Sequence, residues 1–125
     1  MMPTMKLNHL NVCVADSRTT SQFFVDHFGF QRANTNGLDT LAVLRGEDDF
    51  VLILSNFDKQ TVPVYPNGFH FGFIRESREE VDALYAHLHS AGFASEAPRA
   101  VHGSWTFYFK APGDILVEVQ SVLPR

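Results

Sequence analysis

The chain has 125 residues, enough for one compact domain or two small packed units, and 45% of them are hydrophobic against 19% charged. A formal net charge of −4 and the lack of any Lys/Arg run exclude the electrostatic footprint of a nucleic-acid binder, and no stretch approaches the ~20 apolar residues of a membrane span. The single cysteine, Cys13, excludes an internal disulfide, and the opening MMPTMKLNHLNVCV has no basic-then-apolar leader, so a cytoplasmic protein is expected.

The first element is the alternating run from His9, a strand with Leu10, Val12 and Val14 on one face and His9, Asn11 and Cys13 on the other. Asp16 is placed to cap a helix in which Phe23, Phe24 and Phe28 recur at helical spacing, and Gly29 is placed to end it. Strand-like runs follow around Phe30–Ala33, Thr40–Leu44 and Phe50–Leu54, with NTNG and RGEDD as turns. Residues 58–66, with Pro63 and Pro66, read as a linker.

The stretch GFHFGF then forms a strand whose one face is Phe69, Phe71 and Phe73 and whose other face is bare except for His70. Ser77 and Glu80 make a capping-box pattern, and Val81, Leu84, Tyr85 and Leu88 mark a second amphipathic helix that Gly92 ends. Three more runs, around Ala94–Ala97, Trp105–Lys110 and Ile115–Gln120, complete the chain, the last two joined through APGD.

The segments His9–Phe30 and His70–Phe93 match in pattern: a histidine in an alternating strand, a cap, an amphipathic helix and a closing Gly-Phe. Such a repeat implies a duplicated supersecondary unit. The expected fold is α+β: one domain over 1–125 made of two βαβββ modules, 5–57 and 67–122, whose strands form a curved eight-stranded mixed sheet. The helices lie outside and a concave face is left for a ligand. Strand parity puts His9, His70 and Glu118 on that inner face, Glu118 within the otherwise apolar DILVEVQ. Singly, a strand histidine is more often a satisfied core or surface residue. Together, two imidazoles and a carboxylate are the donor set of a divalent metal site with open positions, suited to Fe, Mn, Co, Ni or Zn. Parity also turns Thr106 and Tyr108 inward; Tyr108 then either fills the cavity or serves as a hydrogen-bond donor or general acid. His102, in a loop, and Cys13, on the His9 face, are lesser candidates, while His27, His87 and His89 belong to solvated helix faces.

The motifs LNHLNVCVAD, FFVDHFGF, GFHFGF and WTFYFKAPGDILVEVQ resemble the vicinal oxygen chelate superfamily, the glyoxalase/bleomycin resistance/dioxygenase fold, over nearly the whole chain. The resemblance implies metal ligands on strands one, five and eight, hence His9, His70 and Glu118. The usual Asp-Pro-Asp-Gly turn is here Ala111-Pro112-Gly113-Asp114, with the register to Glu118 kept. A fourth family position, on strand four, falls at Leu52, give or take one residue; Leu52 and Ile53 are both apolar and cannot bind a metal, which speaks against isomerase chemistry that uses a carboxylate there.

Three ligands look more like extradiol dioxygenases or fosfomycin-modifying thiol transferases, although the basic loop of the latter is not visible in ASEAPRAVHGSWTF and only Tyr108 matches that group's pocket tyrosine. The implied function is a metal-dependent enzyme acting on a small oxygen-chelating substrate. Tyr108 is its catalytic candidate, and Asn11, Leu52, Trp105, Thr106 and Tyr108 contact the substrate. The alternatives are a metal-free, antibiotic-sequestering dimer with Trp105 and Tyr65 stacking on a planar ligand, and a structural domain retaining the ligands as relics. Resemblance to short members also implies a homodimer, with His9 from one chain meeting His70 and Glu118 from the other.

Overall fold

The computed structural model describes residues 1–59, 62–94 and 96–124. The chain divides into two units, Met1–Val64 and Tyr65–Arg125, and each repeats the same βαβββ order.

In the first unit the strands are β1 (His9–Cys13), β2 (Gln31–Arg32), β3 (Leu41–Arg45) and β4 (Val51–Ser55), with helix α1 (Ser17–Phe28) between β1 and β2. The sheet order is β1-β4-β3-β2; β1 runs parallel to β4 and the other pairs are antiparallel. The apolar side of β1 is what the helix covers. Val12, Ala42, Leu44, Leu52 and Leu54 are buried with Phe23 and Phe24 of α1, while His9, Asn11 and Cys13 stay exposed on the other side. This corrects the expectation for Leu52. It stands opposite Leu10 in the ladder, is 1% exposed and belongs to the helix-packed core rather than to the inner face.

Helix α1 starts where the sequence places its cap. The Asp16 carboxylate accepts from the Thr19 backbone N–H at 3.0 Å and from the Thr19 hydroxyl at 2.7 Å, and these bonds hold its pKa below the usual carboxylate value. A carboxyl whose folded pKa is depressed stabilises the protein above its unfolded pKa, and that contribution is lost as pH falls through the folded value. Asp16→Ala is therefore expected to cost about 1 kcal/mol at neutral pH. The difference from the parent in urea unfolding should shrink as pH falls through the lowered folded pKa of Asp16.

The second unit holds β5 (His70–Ile74), α2 (Arg78–Ser90), β6 (Arg99–Val101), β7 (Ser104–Ala111) and β8 (Ile115–Val122). The order β5-β8-β7-β6, with β5 parallel to β8, copies the first sheet. Val81 and Leu88 of α2 are buried with Phe107, Phe109, Ile115, Val117 and Val119. The capping box forms: Ser77 Oγ accepts from the Glu80 N–H at 3.2 Å, and Glu80 Oε2 accepts from the Glu76 N–H at 3.0 Å. All eight expected strands are present, as two four-stranded ladders, one per unit. The fold is α+β. Among the described residues no helix is long and apolar enough to cross a membrane.

Strand β6 is displaced from the expected Ala94–Ala97. The N–H groups of Phe93 and Ala94 are engaged by Leu88 O, at 2.9 and 3.3 Å, as the end of the helix, and Pro98 brings no N–H to a ladder. Pairing starts only at Arg99. It closes through His102 and Gly103, with φ of 52° and 77°, the two positive-φ residues of a type I′ hairpin turn. His102 is thus an exposed turn residue. Ser95, within the expected strand, and Gln60 and Thr61, within the expected linker, lie outside the described residues.

Candidate functional site

The inner face of the second sheet is fixed by register. Gly72, Glu118 and Tyr108 form one row across β5, β8 and β7, flanked by the row His70, Leu116 and Lys110 and the row Ile74, Gln120 and Thr106. Opposed residues share a face, so His70, Glu118, Thr106 and Tyr108 lie on one side, as expected. The bare face of β5 has a steric reason. A Cβ on Gly72 would stand 3.1 Å from Glu118 O and 3.3 Å from Glu118 Cβ, so glycine lets β8 bring Glu118 close beside β5.

His70 and Glu118 converge. His70 Nε2 is 3.3 Å from Glu118 Oε1, with the Glu118 side chain only 13% exposed. The other carboxylate oxygen, Oε2, accepts from the Thr106 hydroxyl at 2.7 Å, and Thr106 is itself buried. His70 Nδ1 lies 2.8 Å from Gly68 O. A carbonyl only accepts, so Nδ1 carries the proton and donates. Nε2 of a neutral ring then presents its lone pair toward a carboxylate. At 3.3 Å the pair sets an imidazole nitrogen and a carboxylate oxygen side by side, two groups of metal-ligating chemistry. Backbone anchoring of one ring nitrogen to leave the other free is the arrangement that orients metal-binding histidines.

Tyr108 completes the cluster. Its ring meets the His70 ring edge-on, with centroids 5.4 Å apart. Burial pushes the phenol pKa up; the hydrogen bond and charge of Glu118 add to this, and Arg99 opposes it. The phenol is held in its protonated, donating form.

In the first unit, His9 Nδ1 is 2.7 Å from Asn8 Oδ1. Asn11 Oδ1 accepts from the Ser55 hydroxyl at 2.7 Å, which leaves the Asn11 amide NH2 as the group on offer to a ligand. Ser55, fully buried, was not singled out from sequence; its parity with Ile53 and its place opposite Cys13 are the signal. Cys13 Sγ lies 3.9 Å from Ser55 Oγ.

Trp105 departs from its expected role. Its parity is that of Phe107 and Phe109, on the α2 side. There its indole N–H donates to Asp82 Oδ1 at 2.7 Å and Arg78 stacks 3.6 Å over its ring. The structure spends this side chain on holding α2 to β7 and separates it from Thr106 and Tyr108. Tyr65, the other stacking candidate, lies parallel to Phe69 at 5.0 Å. Among the described residues no three His, Cys, Asp or Glu side chains form a group able to hold a metal ion; the second unit contributes the pair His70–Glu118, and His9 belongs to the first.

The family model of the Glyoxalase/Bleomycin resistance protein/Dioxygenase superfamily matches residues 6–119. The chain belongs to this superfamily. Among solved structures, a possible glyoxalase from Bacillus cereus is 38% identical with a TM-score of 0.82, the match covering 94% of this chain and 99% of that one. A lactoylglutathione lyase from Agrobacterium tumefaciens, 18% identical, superposes with a TM-score of 0.77 over 96% of each chain. A glyoxylase/bleomycin resistance protein/dioxygenase domain from Frankia sp., also 18% identical, does so with a TM-score of 0.80 over 96% of this chain and 93% of that one. These last two similarities concern the fold. No curated protein matches significantly.

For a glyoxalase-superfamily chain the two-module register identifies the inner position of β4. Asn11 opposes Ile53 in the first sheet as Gly72 opposes Glu118 in the second. The first-module counterpart of Glu118 is therefore Ile53, one residue beyond Leu52, and it is equally unable to ligate a metal or accept a proton.

Proposed function

We propose that this superfamily member is a metal-dependent enzyme acting on a small substrate that presents two adjacent oxygens, with His9, His70 and Glu118 as ligands of a divalent Fe, Mn, Co, Ni or Zn ion. The observation that carries this reading is the pairing of His70 Nε2 with Glu118 Oε1 at 3.3 Å while Nδ1 is spent on Gly68 O. It presents two donors of the right chemistry side by side. A bound divalent ion would supply Lewis-acid stabilisation of charge developing on substrate oxygen.

The chain's own groups set the rest. Gly68 O fixes the His70 tautomer, and Thr106 fixes the Glu118 carboxylate. Tyr108 holds its proton and donates it toward substrate oxygen, as hydrogen bond or as acid. Asn11, its carbonyl oxygen occupied by Ser55, offers its amide NH2 to a substrate acceptor. The apolar Ile53 removes the carboxylate base that an isomerase of this fold would use, which favours dioxygenase-, lyase- or thiol-transferase-like chemistry. The same reading makes the protein a cytoplasmic homodimer, the usual state of short members of this superfamily, with His9 completing the ligand set from the partner copy.

The test is His9→Ala, assayed for metal content and for turnover of catechols, 2-oxoaldehydes and thiol-transfer substrates. Metal and activity should fall together. A variant that keeps a planar aromatic ligand bound with unchanged affinity, in a protein that never takes up metal, would favour the sequestering reading instead.

A further inference from the structure

The inner face of the second sheet carries more positive charge than the metal reading uses. Arg99, on the edge strand β6, stands opposite Thr106, so it shares a face with Thr106 and Gln120. It is exposed, and its charge is felt at Tyr108. Lys110, beside Leu116 and in the row of His70, is exposed on the same side. Against these two cations the described strand residues of this face offer one carboxylate, Glu118, which is already engaged by His70, Thr106 and Tyr108. Among the described residues no ion pair holds Arg99 or Lys110.

We propose that Arg99 is a specificity-determining residue that selects substrates carrying an anionic oxygen group, carboxylate or phosphoryl, remote from the oxygens that meet the His70–Glu118 pair. The inference rests on the functional reading above and adds the charge of the substrate to it. Adjacent strands are about 4.8 Å apart, so β6 lies roughly 10 Å from β8. A guanidinium on this face of β6 is placed to meet a group about one aromatic ring away from oxygens held beside Glu118. Tyr108 lies between, donating to the body of the substrate. A guanidinium matches carboxylate and phosphoryl oxygens through paired N–H donors, which an ammonium cannot reproduce. Arg99, rather than Lys110, is accordingly the discriminating group.

The test uses two probes of one shape, 3,4-dihydroxybenzoate and its neutral amide, titrated into metal-loaded and metal-free protein, with metal content measured separately. The acid should bind about tenfold more tightly than the amide, the worth of one charge-assisted pair. Arg99→Gln should remove that preference while leaving metal content and amide affinity unchanged, and Arg99→Lys should restore part of it. Equal binding of the two probes, a preference that survives Arg99→Gln, or binding of neither probe overturns the inference. If the protein takes up no metal yet shows an Arg99-dependent preference for the acid, the metalloenzyme reading fails and the anion site stands. Arg99 is exposed on an edge strand, so the glutamine variant should keep the parent's thermal unfolding.

Discussion

On the proposed metal-site reading, replacing Glu118 by alanine is expected to lower metal affinity by at least about 100-fold and to abolish turnover, because that reading makes it a direct ligand, whereas loss of a group merely supporting a ligand already costs 10–100-fold. The variant should stay folded. Thr106 Oγ1, which loses Glu118 Oε2, still has Val119 O within 3.1 Å, so no buried donor is orphaned. His70 keeps its bond to Gly68 O. Metal titration followed by calorimetry, with circular dichroism as the folding control, separates the two effects. Metal binding that survives in Glu118→Ala would remove the carboxylate from the ligand set.

The largest stability effect should come from Phe24→Ala, expected to cost about 3–5 kcal/mol. Phe24 is 0% exposed. Its ring packs edge-on against Phe23 with centroids 5.2 Å apart and against Phe30 at 6.0 Å, so the side chain ties α1 to the segment leaving it. Leu44, Leu52 and Leu54 lie buried in the same core, and side chains in regular strands relax little into a void. Urea unfolding should show a lowered midpoint at unchanged slope. A loss below about 1 kcal/mol would mean that the Phe-rich first module repacks freely.

Much of this was readable from residue order because it depends on period and end chemistry. Asp16, Gly29, Ser77 and Glu80 name the helix ends by hydrogen bonds that span at most five residues. Strand parity alone puts His70, Glu118, Thr106 and Tyr108 on one face.

Parity fails where the register is uncertain by one residue, since a slip of one exchanges the faces. Leu52 was expected inside the cavity and is core, and Ile53 holds the inner position. Trp105 shows a different failure. Its face follows from the alternation, but an aromatic ring invites a ligand role, and only the structure shows Asp82 and Arg78 occupying it. The β6 strand was misplaced because Pro98 and the His102-Gly103 turn outweigh the apolar look of the residues before them. The bond from His70 Nδ1 to Gly68 O depends on the backbone of a positive-φ glycine, with φ of 89°, which no side-chain pattern encodes. The bond from Ser55 to Asn11 joins residues 44 apart in the chain and needs the β1–β4 register to be seen.

The most direct test is metal content per chain, by elemental analysis, in protein purified without a histidine tag, beside His70→Ala purified in the same way. The metal-site reading predicts close to one equivalent in the parent and almost none in the variant. No metal in the parent, even after incubation with Fe(II), Mn, Co, Ni and Zn in turn, would contradict it and leave His70 as one wall of an aromatic pocket.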